Sequence, residues 1–181
     1  METQEQNVME QAVMGPALYQ QVSFVDFSDH REPTDRDLDY YAWLKNQAAA
    51  LRAYQPKHLD WDGIAEELEA MGRSEEDGLE SFLKRLYKHL LKWACQPTKQ
   101  SSSWEVSIDD SREQIQRRLK RSPSLKAKLG ELAASAYLRA RAKAGAQMKM
   151  SRQEWMTLLP DASPWALEKV TDASFWPSDL K

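Results

Sequence analysis

The sequence predicts an all-α protein: an irregular bundle of five to six helices with a short C-terminal helix and a packed aromatic tail. Apolar residues recur at helical spacing through the main body, and no stretch there alternates convincingly with period two. Pro56, Gly72, Pro97, Pro123 and Pro164 punctuate the segments where helices would stop or start. With 181 residues, 41% of them hydrophobic, the chain is long enough for one domain with one core.

The first helix is expected to begin near Asp37 or Asp39, to run through Tyr40, Tyr41, Trp43, Leu44, Ala48 and Leu51, and to stop before Pro56. Acids in its first turn suit the helix dipole. A second helix, capped by Asp60, places Trp61, Ile64, Leu68 and Met71 on one face, and Gly72 is expected to end it as a left-handed C′ residue. The third should start at Ser74 and reach Cys95 before Pro97, with Leu79, Phe82, Leu83, Leu86, Leu90 and Trp93 as its apolar stripe. A fourth aligns Trp104, Ile108, Ile115 and Leu119, with Ser111 and Arg112 inside or beside that face. Ser122-Pro123 then reads as a cap with proline at N1, opening a fifth helix. That helix's Ala133, Ala136 and Ala140 would let a partner helix approach closely. Ser151 and Glu154 have capping-box spacing, and Ser163-Pro164 repeats the cap-plus-proline device before Trp165–Val170. The tail, Phe175-Trp176-Pro177, is too aromatic for a solvated end and is expected to pack back on the bundle.

Residues 1–33 read differently, as an N-terminal arm that is flexible or binds a partner, ahead of a single helical domain at 34–181. Within the arm, residues 8–14 suit a weak amphipathic helix and residues 22–27 a short extended segment.

Charge is segregated along the chain. The formal net charge is -3, yet residues 1–33 carry -5, residues 34–80 carry -7, residues 81–150 carry +11 and residues 151–181 carry -2. Such a division predicts an internal charge match or an exposed basic face. The start, METQEQNVMEQ, lacks the basic and apolar regions of a signal peptide, and no run is apolar enough to span a membrane. A cytoplasmic protein with no membrane partner is expected. Cys95 is the single cysteine, which excludes an internal disulfide and a multi-thiolate zinc site.

Many short motifs, in order, resemble one family. They are Asp39-Tyr40-Tyr41-Ala42-Trp43, Leu59-Asp60-Trp61, Glu66 through Ser74, His89-Leu90-Leu91-Lys92-Trp93 with Gln96-Pro97, and Ser103-Trp104. Ser122-Pro123-Ser124-Leu125, Ser163-Pro164-Trp165 and Phe175-Trp176-Pro177 continue the series. Over about residues 35–177 the chain resembles the bacterial family known as domain of unknown function twenty-nine. The resemblance implies a small all-helical protein with no established activity, cofactor or catalytic residue. Departures are the long arm before Asp35, Cys95 where an aromatic is usual, and Ser163 where a cysteine often stands.

No catalytic, cofactor-binding or metal set emerges from the residues themselves. Glu67, Arg73, His89 and Arg112 form a candidate polar cluster, but one histidine with scattered acids is a poor metal set. A Glu67/His89 enzyme site would require the second and third helices to bring the two within hydrogen-bond reach. Arg73 and Arg112 flank apolar faces, where a guanidinium can cover aromatic surface or fork onto a carboxylate such as Glu67. Arg85 precedes His89 with three residues between them, too close for the Arg and His signature of HEPN-type ribonucleases.

Two surfaces stand out instead. Arg117, Arg118, Lys120, Arg121, Lys126 and Lys128 lie between Gln114 and Gly130 with no acid among them, and Lys84, Lys88 and Lys92 could extend them into a basic patch for nucleic acid. Trp155, Trp165, Phe175 and Trp176 are candidate interface residues, since tryptophan is a preferred anchor. The expected function is therefore protein–protein interaction or self-association, with a protein partner or homodimer. Nucleic-acid binding is the alternative and the Glu67/His89 enzyme a third.

Overall fold

The computed structural model describes residues 35–53 and 61–180. Asp39 shows how the sequence starts the described chain. Its carboxylate accepts the backbone N–H of Ala42 at 2.9 Å, capping helix α2 (Tyr40–Ala53) after the single turn α1 (Asp35–Leu38). The same carboxylate accepts the N–H of Ser124 at 2.5 Å and its hydroxyl at 2.9 Å, so one acid fixes both a helix start and a distant corner. The expected arm at 1–33 and residues 54–60, with the expected cap Asp60, lie outside the described residues.

Helix α3 (Trp61–Cys95) runs unbroken for 35 residues, about 52 Å at 1.5 Å per residue. The break expected at Gly72–Ser74 is absent. Among the described residues no glycine has positive φ, and Gly72 is buried with the position of a Cβ 3.5 Å from Lys45 Cε and 3.7 Å from the Tyr41 ring. A Cβ there would make only ordinary van der Waals contact, and the glycine lies inside the helix beneath α2 and does not terminate it. Its intrinsic helix penalty of about 1 kcal/mol is offset by that packing and by the helical hydrogen bonds on either side.

The remaining elements pack on this spine. They are α4 (Ser102–Arg121), α5 (Leu129–Gln147), α6 (Arg152–Leu158) and α7 (Leu167–Thr171), with 3-10 turns at Pro97–Lys99 and Pro123–Lys128. No strand occurs among the described residues. Leu79, Leu83, Leu86, Leu90 and Leu91 of α3 meet Ile108 and Ile115 of α4 and the alanine face of α5, all in one buried cluster. Ala133, Ala136, Ala140 and Ala144 let α5 lie close to α3, and the Tyr87 and Tyr137 rings meet edge to face with centroids 5.4 Å apart.

In the first half of α3 the expected apolar stripe is only partly used. Ala65 and Gly72 are buried, while Ile64 and Met71 remain 43% and 41% exposed. They lie on the side of α3 that α4 covers farther along, and α4 ends level with Glu75. Two smaller expectations refine similarly. The capping box at Ser151 and Glu154 is present, with bonds of 2.6 and 3.3 Å. Ser163, by contrast, makes a turn: its hydroxyl donates to the Trp165 carbonyl and accepts the Trp165 N–H, and α7 starts only after Ala166.

Candidate functional site

Arg112 organises the C-terminal tail. Periodicity places it beside Ser111 on the inner face of α4, and it is 2% exposed. Its Nε donates to the Val170 carbonyl at 3.1 Å, Nη1 to that of Ala173 at 3.4 Å and Nη2 to that of Phe175 at 2.5 Å. Burial lowers its pKa while Asp109 and Asp172 oppose that shift, and a guanidinium stays charged throughout. The tail so held sets Trp176 against Trp93 with centroids 4.8 Å apart and the rings tilted by 52°, and sets Phe175 against Trp165 at 5.9 Å.

Between this tail and the turn before α7 lies a cavity of about 320 Å³, lined by Pro164, Trp165, Lys169, Phe175, Trp176 and Pro177 among others. Three of the four candidate interface residues therefore come together around one pocket. The fourth does not: Trp155 packs over Gly145 and under Arg141, whose Cζ lies 5.2 Å from its ring. Arg141 is a second buried arginine, bound to the carbonyls of Leu159 and Met156 at 2.9 and 2.8 Å and to Asp161 at 2.6 Å. Sequence reasoning missed it, although it sits four residues after Tyr137 and adjoins Ala140 on the alanine face.

The basic patch divides in two. Arg118 and Arg121 share Glu75 at 3.2 and 3.8 Å, and Lys128 pairs with Glu76 at 2.8 Å. Glu76 also accepts the Tyr41 hydroxyl. Burial alone would raise the Glu76 carboxyl, but the bonds from Lys128 and Tyr41 outweigh it and hold the carboxyl below its usual range. The acidic half of α3 thus meets the basic α4–α5 corner, an internal charge match. Arg117 stands 4.0 Å from Glu113, and Lys120 and Lys126 are exposed.

Lys84, Lys88 and Lys92 belong to a different environment, on the second half of α3. Lys92 is 9% exposed, donates to Gln147 Oε1 at 3.1 Å and lies 4.1 Å from the centre of the Trp104 ring. Desolvation first, then Lys92, Arg85, Lys143 and Lys84, lower the pKa of Lys88. Lys143, from α5, is a member of this group that sequence spacing could not reveal.

The polar cluster does not assemble. Glu67 and His89 lie on one continuous helix, 22 residues apart, which is about 33 Å. This overturns the Glu67/His89 enzyme site, whose premise was a turn between two helices. Arg73 is exposed and approaches Glu69 at 3.9 Å, while Arg112 is committed to the tail. His89 is 8% exposed with Nδ1 unpartnered, and burial chiefly, with Lys88, Lys92 and Arg85, pushes its pKa down to about 4. Among the described residues no three His, Cys, Asp or Glu side chains form a group that could hold a metal, and no helix is long and apolar enough to cross a membrane.

Residues 37–176 match the family described as "Domain of unknown function DUF29". Among solved structures, an α-helical protein of unknown function from Rhodospirillum rubrum is similar with a TM-score of 0.63 and 22% identity. The similarity covers 81% of this chain and 93% of that one, and it shows a shared fold. No curated protein matches the chain.

Proposed function

Because the chain belongs to the DUF29 family, a domain of unknown function, no activity comes with its membership, and from its own surface we propose a non-catalytic, cytoplasmic protein-interaction module. Its anchor site is the aromatic pocket of the C-terminal tail, which takes an apolar side chain from a second copy or another protein. The observation that carries this reading is the convergence of Trp165, Phe175 and Trp176 on one open cavity, with Trp176 still 36% exposed.

Tryptophan at the centre of an interface offers a large apolar face and a polar N–H, which is why it is enriched among binding hot spots. Arg112 fixes the tail before any partner arrives, so the partner meets a preorganised wall and less ordering entropy is lost on binding. Lys169 and Asp179 at the mouth supply the polar rim that such interfaces have.

The test compares the full chain with Trp176→Ala in sedimentation equilibrium and in pull-downs from cells that express it natively. The expected result is self-association or a retained partner, weakened roughly 30-fold by the substitution, as for a hot spot of about 2 kcal/mol. A wild-type chain that stays monomeric at every concentration and captures the same proteins as the variant would overturn the reading.

A further inference from the structure

Lys84, Lys88 and Lys92 recur every fourth residue on α3, each separated from the next by a rise of about 6 Å. Arg85 lies beside them, and Lys143 of α5 comes within electrostatic reach of Lys88. Nearer the middle of α3, basic side chains are paired with its carboxylates: Arg118 and Arg121 with Glu75, Lys128 with Glu76, Arg139 with Glu80. In this group the carboxylate in an ion pair is Asp110, 3.0 Å from Arg85. The almost fully buried Lys92 has two neutral neighbours, the Gln147 amide and the Trp104 ring. His89, also buried, adds no negative charge.

Ordinary explanations each cover only part of the arrangement. The helix dipole favours cations in the last turn, which reaches Lys92 but not Lys84 or Lys88. Lysine stems can cover apolar surface with the ammonium in water, which suits the half-buried Lys84 and Lys88 but not the buried Lys92. Beyond the Arg85–Asp110 pair, like charges along this row repel one another, and an anion bound among them relieves that repulsion.

We propose that Lys84, Arg85, Lys88 and Lys143 form a binding site for a phosphate-bearing anion, with Lys92 and Trp104 as its wall. The phosphates come from a single nucleic-acid strand or from a free oligophosphate. Ammonium groups bind phosphate as point charges, without the directional fork of arginine, so a row of lysines suits successive phosphates along a flexible chain. This site shares no residue with the aromatic pocket, and its test does not depend on that reading.

The full chain is titrated with fluorescently labelled single-stranded DNA of about twenty nucleotides from about 50 to 200 mM salt, with inorganic tripolyphosphate as competitor. Four contacts predict a slope of log K against log salt of about -3, at roughly 0.7 per phosphate. Lys88→Glu with Lys143→Glu should lower affinity at least tenfold and flatten the slope by about half. Arg117→Glu with Lys126→Glu, which leaves this group intact, should lower it far less, and thermal melts establish that both double variants are folded. Displacement of the DNA by tripolyphosphate identifies an oligophosphate site, and retention of the strand identifies a nucleic-acid site. Absence of binding by both probes at the lowest salt, or an equal loss in both double variants, would overturn the proposal.

Discussion

Arg112 Nη2 and the carbonyl oxygen of Phe175 meet at 2.5 Å across 63 residues of sequence, joining α4 to the C-terminal tail. With the bonds to Val170 and Ala173, one buried side chain satisfies three backbone acceptors of the tail.

Arg112→Lys keeps the charge but loses the fork, and Arg112→Met leaves the carbonyls without donors. Each should destabilise the fold, the lysine by about 2 kcal/mol and the methionine by about 3 kcal/mol or more. Urea denaturation followed by tryptophan fluorescence measures both the loss and the release of Trp176 from Trp93. A methionine variant as stable as the wild type would show that the tail is held by its rings alone.

Two glycines on α5 should respond in opposite directions to alanine. A Cβ at Gly145 would lie 2.4 to 2.6 Å from Cγ, Cβ and Cδ1 of Trp155, the base of a side chain on a helix that Arg141 also holds. Gly145→Ala should therefore cost about 1–3 kcal/mol despite the better helix propensity of alanine. At Gly130 a Cβ meets nothing within 4 Å, and Gly130→Ala should gain about 0.5–1 kcal/mol. Denaturation midpoints at unchanged m-value decide both.

His89 makes the fold sensitive to acid. Its folded pKa, pushed from 6.5 down to about 4, lies below its unfolded value, so the unfolded chain binds more protons between those limits. Its contribution is complete above pH 6.5 and is lost as pH falls toward 4, by about 2–3 kcal/mol. His89→Leu should abolish that part of the slope. Stability measured at pH 7, 5.5 and 4.5 in both proteins isolates it, because the carboxylate contributions are common to the two.

The Glu76–Lys128 pair tests the internal charge match. Lys128 is 43% exposed, so solvent screens the pair, and the cycle of Glu76→Gln with Lys128→Met should return a coupling of only about 0.5–1 kcal/mol. The carboxyl is held below its usual range, so this coupling is present above pH 4.5 and disappears as pH falls through the lower folded value. A coupling unchanged by acid would mean that the Tyr41 bond, and not the charge, sustains it.

Helix existence and the buried faces were legible because they depend on local spacing: Ile108, Ser111, Arg112 and Ile115 follow one another on the inner side of α4 as periodicity requires. The course of α3 was not, because a glycine followed closely by a serine reads as a helix end, while here Gly72 lies inside the helix with α2 packed over it. Lys143 and Lys88 illustrate the same limit at the candidate site. They are 55 residues apart, and spacing along one helix carries no information about its neighbour. The aromatic tail could be anticipated from composition, but its clamp could not, since Arg112 reads equally well as an ion-pair partner.

Order of synthesis adds a consequence to the long spine. The α3 surface that α4 and α5 will cover leaves the ribosome before either of them, so the chain can fold by successive addition to an existing template. A nascent chain paused after α4 would still show Tyr87 and Leu91 without the alanine face that covers them. At that stage the uncovered α3 face is open to other chains, and a translational pause there would raise aggregation more than one placed after α5.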